Sequence, residues 1–201
     1  MKVMVTGADG FVGRNLRVAL SELPDREVLA VTRSTSDAEF RAAAASADAV
    51  IHLAGGNRPR DPAGFTTGNV DFTGHLCNVL SDAGRTVPIA FASSIQAERD
   101  NPYGRSKHAA EERLLRHGKE TGAPVAVYRL SNVFGKWCRP NYNSAVATFC
   151  HNLARGLQIR IDDPAAVLRL VHVDDVVAEL LRFLDDPARR AGIVGVTPEY
   201  T

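Results

Sequence analysis

Three glycines, Gly7, Gly10 and Gly13, carry the chain from an apolar β-branched run, Lys2–Thr6 (KVMVT), into a helically spaced stretch, Phe11–Leu20. A strand that turns through glycines into a helix forms the phosphate-binding turn of open α/β sheets. Gly7 permits a tight turn, Gly10 lets backbone approach a pyrophosphate, and Gly13 lets helix and sheet pack closely. The free N–H groups and positive dipole end at the helix start favour the phosphates. The spacing is GxxGxxG, one residue longer than the GxGxxG dinucleotide fingerprint. Gly7, Asp9, Gly10, Phe11, Val12 and Gly13 are the candidate cofactor residues of this turn. A purely structural glycine turn is the alternative; the strand before it and the helix after it weigh against that.

The same alternation runs through most of the chain. Glu27–Thr32, Ala49–Ala54, Val87–Ala92 and Pro124–Leu130 read as strands, and Asp37–Ala45, Thr67–Ala83 and Pro102–Thr121 as helices. A Gly/Asn/Arg/Pro loop fills 55–64. Apolar strands separated by helices imply a parallel sheet covered on both faces. The expected fold is therefore α/β, a doubly wound parallel sheet (Rossmann fold), with its dinucleotide-binding core over residues 1–135. Beyond Lys136 the pattern loosens. Asn141–Arg155 and Asp174–Leu184 read as helices, and Gln158–Ile161, Val167–Val171 and Ile193–Val196 as short strands. Residues 136–201 are expected to complete the sheet and form a small, partial substrate lobe, within one structural domain.

Composition excludes several alternatives. With 201 residues, 45% of them hydrophobic, the chain is sized for one core. Its 24 Lys and Arg against 23 Asp and Glu give no electrostatic case for nucleic acid or an anionic membrane. No apolar run approaches the ~20 residues of a membrane span, and no export signal opens the sequence. Cys77, Cys138 and Cys150 read as reduced thiols, so a cytoplasmic protein is expected. His108, His117 and His151 lack a common ligand spacing, and no metal site is expected.

The kind of dinucleotide turns on the end of the second strand, where an acid would bind the ribose 2′-hydroxyl of NAD. Val31-Thr32-Arg33-Ser34 offers Arg33 instead, suited to a 2′-phosphate, with Arg14 in support. NADP(H) is expected; NAD(H) is the alternative if Arg33 is a solvated strand-end arginine. A second motif, Tyr103-Gly104-Arg105-Ser106-Lys107, sets Tyr103 and Lys107 on one helical face. An ammonium group beside a buried phenol favours phenolate, which predicts an acidified Tyr103 able to exchange a proton with an alkoxide. Ser93 and Ser94 close the fourth strand, and alternation turns only one of them toward the site. Ser94 is preferred and Ser93 competes.

TGADGFVG, HLAG (His52–Gly55), Asn69-Val70, ASSI, YGRSK, RLSNVFG (Arg129–Gly135) and VHVDDVV (Val171–Val177) stand in one order. That ordered set resembles the extended short-chain dehydrogenases/reductases, the NAD-dependent epimerase/dehydratase family, over about residues 1–185. The resemblance implies an NAD(P)-dependent oxidoreductase acting on nucleotide sugars, expected as a homodimer. It implies Ser94, Tyr103 and Lys107 as catalytic residues, with Tyr103 and Lys107 also touching the cofactor. Leu53, Ala54 and Gly55 would lie beside the cofactor ribose, with Asn69 near the site. Leu130, Ser131, Asn132 and Val133 would lie beside the nicotinamide, with Ser93 joining the cofactor contacts. A narrower likeness, in Asn57-Arg58-Pro59, Ser94–Ala97, Asp100–Gly104 and FGKWCRPNYNSAVATFC (Phe134–Cys150), is to the reductase domain of CapF-type capsular-polysaccharide enzymes. It implies NADPH-dependent reduction of a 4-keto, UDP-linked deoxy amino sugar, with Ser94, Asn132, Lys136, Arg139 and Asn143 on the substrate side. A nucleotide-sugar epimerase retaining NAD, or a noncatalytic NADP-binding module, are the competing functions.

Departures bear on the chemistry. Ser94-Ile95-Gln96 replaces the Thr-Asp-Glu of sugar-nucleotide dehydratases, which argues against 4,6-dehydration. Arg169 precedes Val173 by four residues, one short of the family's diphosphate arginine. Strand alternation would turn it away, leaving the diphosphate to Lys136, Arg139 or Arg155. His52 reads as a satisfied core histidine, His172 as a strand residue near the lobe, and Asp174 and Asp175 as caps of the last helix. Trp137 and Phe149 are expected in the core of a lid. Thr197–Thr201 suits an exposed tail, as in a truncated or naturally short chain with a complete cofactor site and an open sugar site.

Overall fold

Four strands at the centre of the sheet bury nearly every residue, so helices must cover both faces. The structure, a computed structural model, describes residues 1–56, 61 and 63–201; Asn57, Arg58 and Pro59 of the narrower likeness lie outside the described residues. The strands are β1 Lys2–Thr6, β2 Glu27–Val31, β3 Ala49–His52, β4 Ile89–Ser94, β5 Val125–Leu130, β6 Asn132–Phe134, β7 Leu170–His172 and β8 Gly192–Val194. The helices are α1 Phe11–Ser21, α2 Asp37–Ser46, α3 Ala63–Phe65, α4 Phe72–Asp82, α5 Pro102–Thr121, α6 Ala145–Leu153 and α7 Val173–Asp185. Six strands form one parallel sheet in the order β2-β1-β3-β4-β5-β8, and β6 and β7 form a separate parallel pair.

Pleating sends alternate side chains to opposite faces. Val3, Val5, Ile51, Ala90 and Tyr128 bury against Leu16 and Leu20 of α1 and the apolar face of α7. Met4, Val50, Ile89, Phe91 and Val127 bury against α2, α4 and α5, with Phe40, Leu76, Leu80 and Leu114 opposite them. The fold is thus a doubly wound, Rossmann-type sheet, as its sequence pattern predicts. Strand order reverses at β1, flanked by β2 on one side and β3 on the other. Such a switch point opens a crevice at the carboxyl ends of the strands.

Local chemistry fixes the helix that carries the YxxxK motif. Asn101 caps α5 by accepting the Gly104 N–H at 2.8 Å, Pro102 starts it, and Gly122 ends it at φ +79°. Ser36 and Glu39 form a reciprocal capping box on α2.

Several expectations shift. β4 begins at Ile89, not Val87, because Pro88 has no N–H to give the ladder and only accepts from Val50. The Thr67–Ala83 helix contains a π-helical stretch, Thr66–Asp71. The Asn141–Arg155 helix starts only at Ala145, where Ser144 caps it. Gln158–Ile161 is irregular and exposed, not a strand, having no neighbouring strand to pair with among the described residues. β6 arises instead, paired with β7 in the register Val133↔Val171. Trp137 is 38% exposed and Phe149 only half-buried, so neither is core. The tail is pinned where Tyr200 and Leu170 exchange both backbone hydrogen bonds at 2.8 Å. No described helix is long and apolar enough to cross a membrane.

Candidate active site

A cleft of about 1300 Å³ opens where β1, β3, β4 and β5 end. Its floor is the glycine turn. Gly7 adopts φ +67°, and a Cβ there would lie 2.8 Å from the Ala54 nitrogen, so only glycine lets β3's end pass this closely. A Cβ on Gly13 would lie 2.3 Å from the Gly7 carbonyl oxygen. Gly10 stands at the start of α1, whose N-terminus no side chain caps. Asp9, Phe11, Val12, Leu53 and Gly55 complete this end of the cleft, with Arg33 at its edge. Arg33 is exposed and forms no ion pair among the described residues. Arg14 instead stacks on the Trp137 ring, its Cζ 4.8 Å from the centroid.

At the other end, strand parity separates the two serines. Ser94 faces the cleft, accepts the Gln96 N–H at 3.2 Å and stands close enough to the Tyr103 phenol to act on its titration. Ser93 turns inward and donates to the buried carboxylate of Glu111. Lys107 lies beneath, its Nζ donating to the Ala92 carbonyl at 2.8 Å and 4.6 Å from the Phe91 ring centroid. Burial pulls the Lys107 ammonium down to about 8, against the opposing charge of Glu111. The sequence predicts an acidified Tyr103; the structure reverses that direction. Burial holds the phenol above its ordinary value, with only Ser94 working the other way.

Leu130, Ser131, Asn132 and Val133, at and beyond the end of β5, line the same cleft as Tyr103, as do Arg139 and Asn143. Three candidates stand back from the cleft. Ala54 lies under Gly7, its N–H bonded to Thr6. Lys136 sits over the Trp137 ring at 4.3 Å. Asn69 is 1% exposed, and its amide is used by Gly56 and by the Ser106 hydroxyl at 2.9–3.0 Å. Ser106 in turn donates to the Tyr103 carbonyl. Asn69 therefore ties the loop after β3 to α5. Arg155 does not reach the cleft, whereas Arg169 lines it. The alternation argument does not apply to Arg169, because β7 begins one residue later. Ile95, Gln96, Cys138 and Tyr142 also line the cleft; they stand inside motifs that carry the resemblance but were not singled out as site residues, and Arg99, which lines it too, lies outside every motif.

His52 is a core histidine in a closed chain of hydrogen bonds. Thr73 gives its only hydroxyl proton to the Asn69 carbonyl, so it accepts from His52 Nε2–H at 2.9 Å. Nδ1 then accepts from Thr6 at 2.6 Å, and the Thr6 oxygen accepts the Ala54 N–H. Burial pushes the imidazole down to about 3. The unfolded chain binds a proton on His52 below pH ~6.5 that the folded chain refuses until about 3. Stability should therefore fall as pH drops through that window, by up to about 1.4 kcal/mol per pH unit. Urea melts at successive pH values check this: His52→Gln should be less stable at neutral pH yet show a flatter decline. An unchanged slope would remove His52 as its source. His172, by contrast, caps α7 by accepting the Asp174 N–H at 3.3 Å; Asp174 and Asp175 occupy the first turn but are not the cap.

Residues 3–195 match the NAD dependent epimerase/dehydratase family, and the chain belongs to that family. It is 49% identical over 200 residues to a UDP-2-acetamido-2,6-beta-L-arabino-hexul-4-ose reductase of Pseudomonas aeruginosa, covering all of this chain and 54% of the relative. The capsular polysaccharide assembling protein CapF of Staphylococcus aureus superposes with a TM-score of 0.88 at 41% identity, over all of this chain and 55% of that one. A UDP-glucuronic acid 4-epimerase of Bacillus cereus, solved with NAD, shares the fold with a TM-score of 0.86 at 17% identity, over all of this chain and 80% of that one. The chain spans about half the length of the first two.

The residues present fit an NAD(P) cofactor, the group this family uses. The glycine cradle has no room for a Cβ at Gly7 or Gly13, and the first turn of α1 is left without a side-chain cap. Ser131 Oγ, on the lining of the cleft, is buried with no partner among the described residues.

Proposed function

We propose that this chain is the reductase unit for a 4-keto sugar nucleotide, a UDP-linked deoxy amino sugar of surface-polysaccharide synthesis, using NADPH in the cytoplasm as a homodimer. The observation that carries the reading is the convergence of Ser94, Tyr103 and Lys107 at the end of β4, on the wall of the glycine-floored cleft. The likeness to a hexul-4-ose reductase supports the substrate class. Gly7–Gly13 would hold the pyrophosphate, Arg33 a 2′-phosphate, Lys107 the ribose, and Ser131–Val133 the nicotinamide side. Arg139, Asn143 and Arg169, on the 136–169 wall, would meet the nucleotide sugar.

A bound NADPH supplies hydride to the carbonyl carbon. The protein's part is to hold and protonate the oxygen. Ser94 fixes the direction of the Tyr103 hydroxyl, and a phenol held above its ordinary pKa stays protonated at neutral pH, as a proton donor must. The ammonium of Lys107 keeps positive charge beside the developing alkoxide. Incubating the chain with NADPH and a panel of 4-keto UDP- and dTDP-sugars, while following absorbance of the reduced nicotinamide, tests the reading. No oxidation by a folded sample overturns it, and isomerisation without net oxidation would establish the epimerase instead.

Arg33→Ala gives a separate check on cofactor choice. Only NADP presents a 2′-phosphate, so NADP affinity should weaken by roughly 1.5–3 kcal/mol, the worth of one charge-assisted contact, with NAD barely changed. Equal loss for both in isothermal titration would make Arg33 structural.

A further inference from the structure

Tyr103, Lys107 and Glu111 follow at intervals of four along α5 and so share one stripe of the helix. Each reaches a different residue of one consecutive trio at the end of β4. The Tyr103 phenol meets the Ser94 hydroxyl, Lys107 Nζ meets the Ala92 carbonyl, and the Glu111 carboxylate accepts the Ser93 hydroxyl. Glu111 is 1% exposed. Arg129 of β5 grips it from the far side, with Nη2 at 2.7 Å and Nε at 3.1 Å, and gives its remaining nitrogen to Glu98 at 2.7 Å. A buried carboxylate is costly unless paired. Here its pairing lies one helical turn behind the candidate catalytic lysine.

We propose that Glu111 is a positioning residue, holding Lys107 as its ammonium and the carboxyl end of β4 in register with α5. The charges around it leave this role to Glu111. On α5, Lys107 is flanked by the neutral Tyr103 and by Glu111; from β3 it faces His52, which burial keeps uncharged. Glu111 itself faces Lys107, Arg129 and, at 3.9 Å, the half-exposed His108. Arg129 is one cation shared between two carboxylates, Glu98 and Glu111, so it leaves net negative charge one helical turn behind Lys107. Burial of Lys107 is opposed by Glu111 alone.

The kinetic consequence rests on the reductase reading; the titration of Lys107 does not. The test takes the whole chain with carbon-13 at lysine Cε and follows Lys107 by NMR against pH, assigning it with Lys107→Arg. Glu111→Gln should move the Lys107 titration to lower pH by about one unit or more, and Glu111→Asp, which keeps the charge, should restore most of it. In turnover assays the basic limb of the kcat profile should move with it while KM for the sugar holds. A merely structural loss would lower activity equally at every pH. If Glu111→Gln does not fold, Ser93→Ala removes only the hydroxyl that aims the carboxylate and should shift the titration the same way by less. An unmoved Lys107 in folded Glu111→Gln, or in Ser93→Ala should the former not fold, overturns the proposal. Should the native chain reduce no 4-keto sugar, the reductase reading falls and the NMR titration still decides this one.

Discussion

Tyr103→Phe should cut reduction of a 4-keto sugar nucleotide by about 10²–10⁴-fold, the contribution of a positioned proton donor, and leave NADPH binding intact. The substitution removes one hydroxyl. The ring stays beside Phe65, whose centroid is 5.8 Å away, and the backbone carbonyl still accepts from Ser106. Lys107 keeps its bond to Ala92, so the cofactor side of the cleft should hardly change. Stopped-flow absorbance with saturating NADPH measures turnover, and fluorescence of the reduced nicotinamide measures binding. Turnover near the native rate would take Tyr103 out of the proton path.

Gly13→Ala should damage fold and cofactor site together. Its Cβ would sit 2.3 Å from the Gly7 carbonyl oxygen and 2.9 Å from Ala8 Cα, both backbone, so neither can swing aside. Either α1 lifts from the sheet or the glycine turn moves. Overpacking of this kind costs about 1–3 kcal/mol, or roughly 2–12 °C in melting temperature for a chain of this size. NADPH affinity should fall as well, because the displaced oxygen is the one that accepts the Gly10 N–H at 2.9 Å. Thermal melts with and without NADPH separate the two losses. A variant that melts and binds like the native chain would mean the turn has slack that its spacing denies.

What sequence could reveal depended on how locally each feature is encoded. The glycine turn and α5 were legible because their determinants lie within a few residues: Gly7, Gly10 and Gly13 for one, Asn101, Pro102 and Gly122 for the other. The choice between Ser93 and Ser94 was not, since parity depends on where β4 sits against its neighbours. Glu111 looks like any charge on an amphipathic helix; what compensates its burial is Arg129, a partner 18 residues away on β5. The Tyr103 direction was missed because a neighbouring ammonium was weighed without the desolvation that acts on the phenol. The β6–β7 pair joins segments too short and too far apart to signal each other.

That small pair has an evolutionary meaning. Asn132 bonds the Arg169 carbonyl through both its backbone and side-chain nitrogens at 3.0 Å, and β6 then runs beside β7. Residues 135–169 thus leave and re-enter the framework at one stapled point, next to the cleft whose outer wall they form. Closing a longer or shorter loop across fixed ends changes its entropy only slowly with length. The segment is therefore an exchangeable cassette. Insertions, deletions or wholesale grafts between 135 and 169 can redraw this wall of the cleft, the one proposed to meet the nucleotide sugar, while the glycine turn and the Ser94–Tyr103–Lys107 set stay where the sheet puts them.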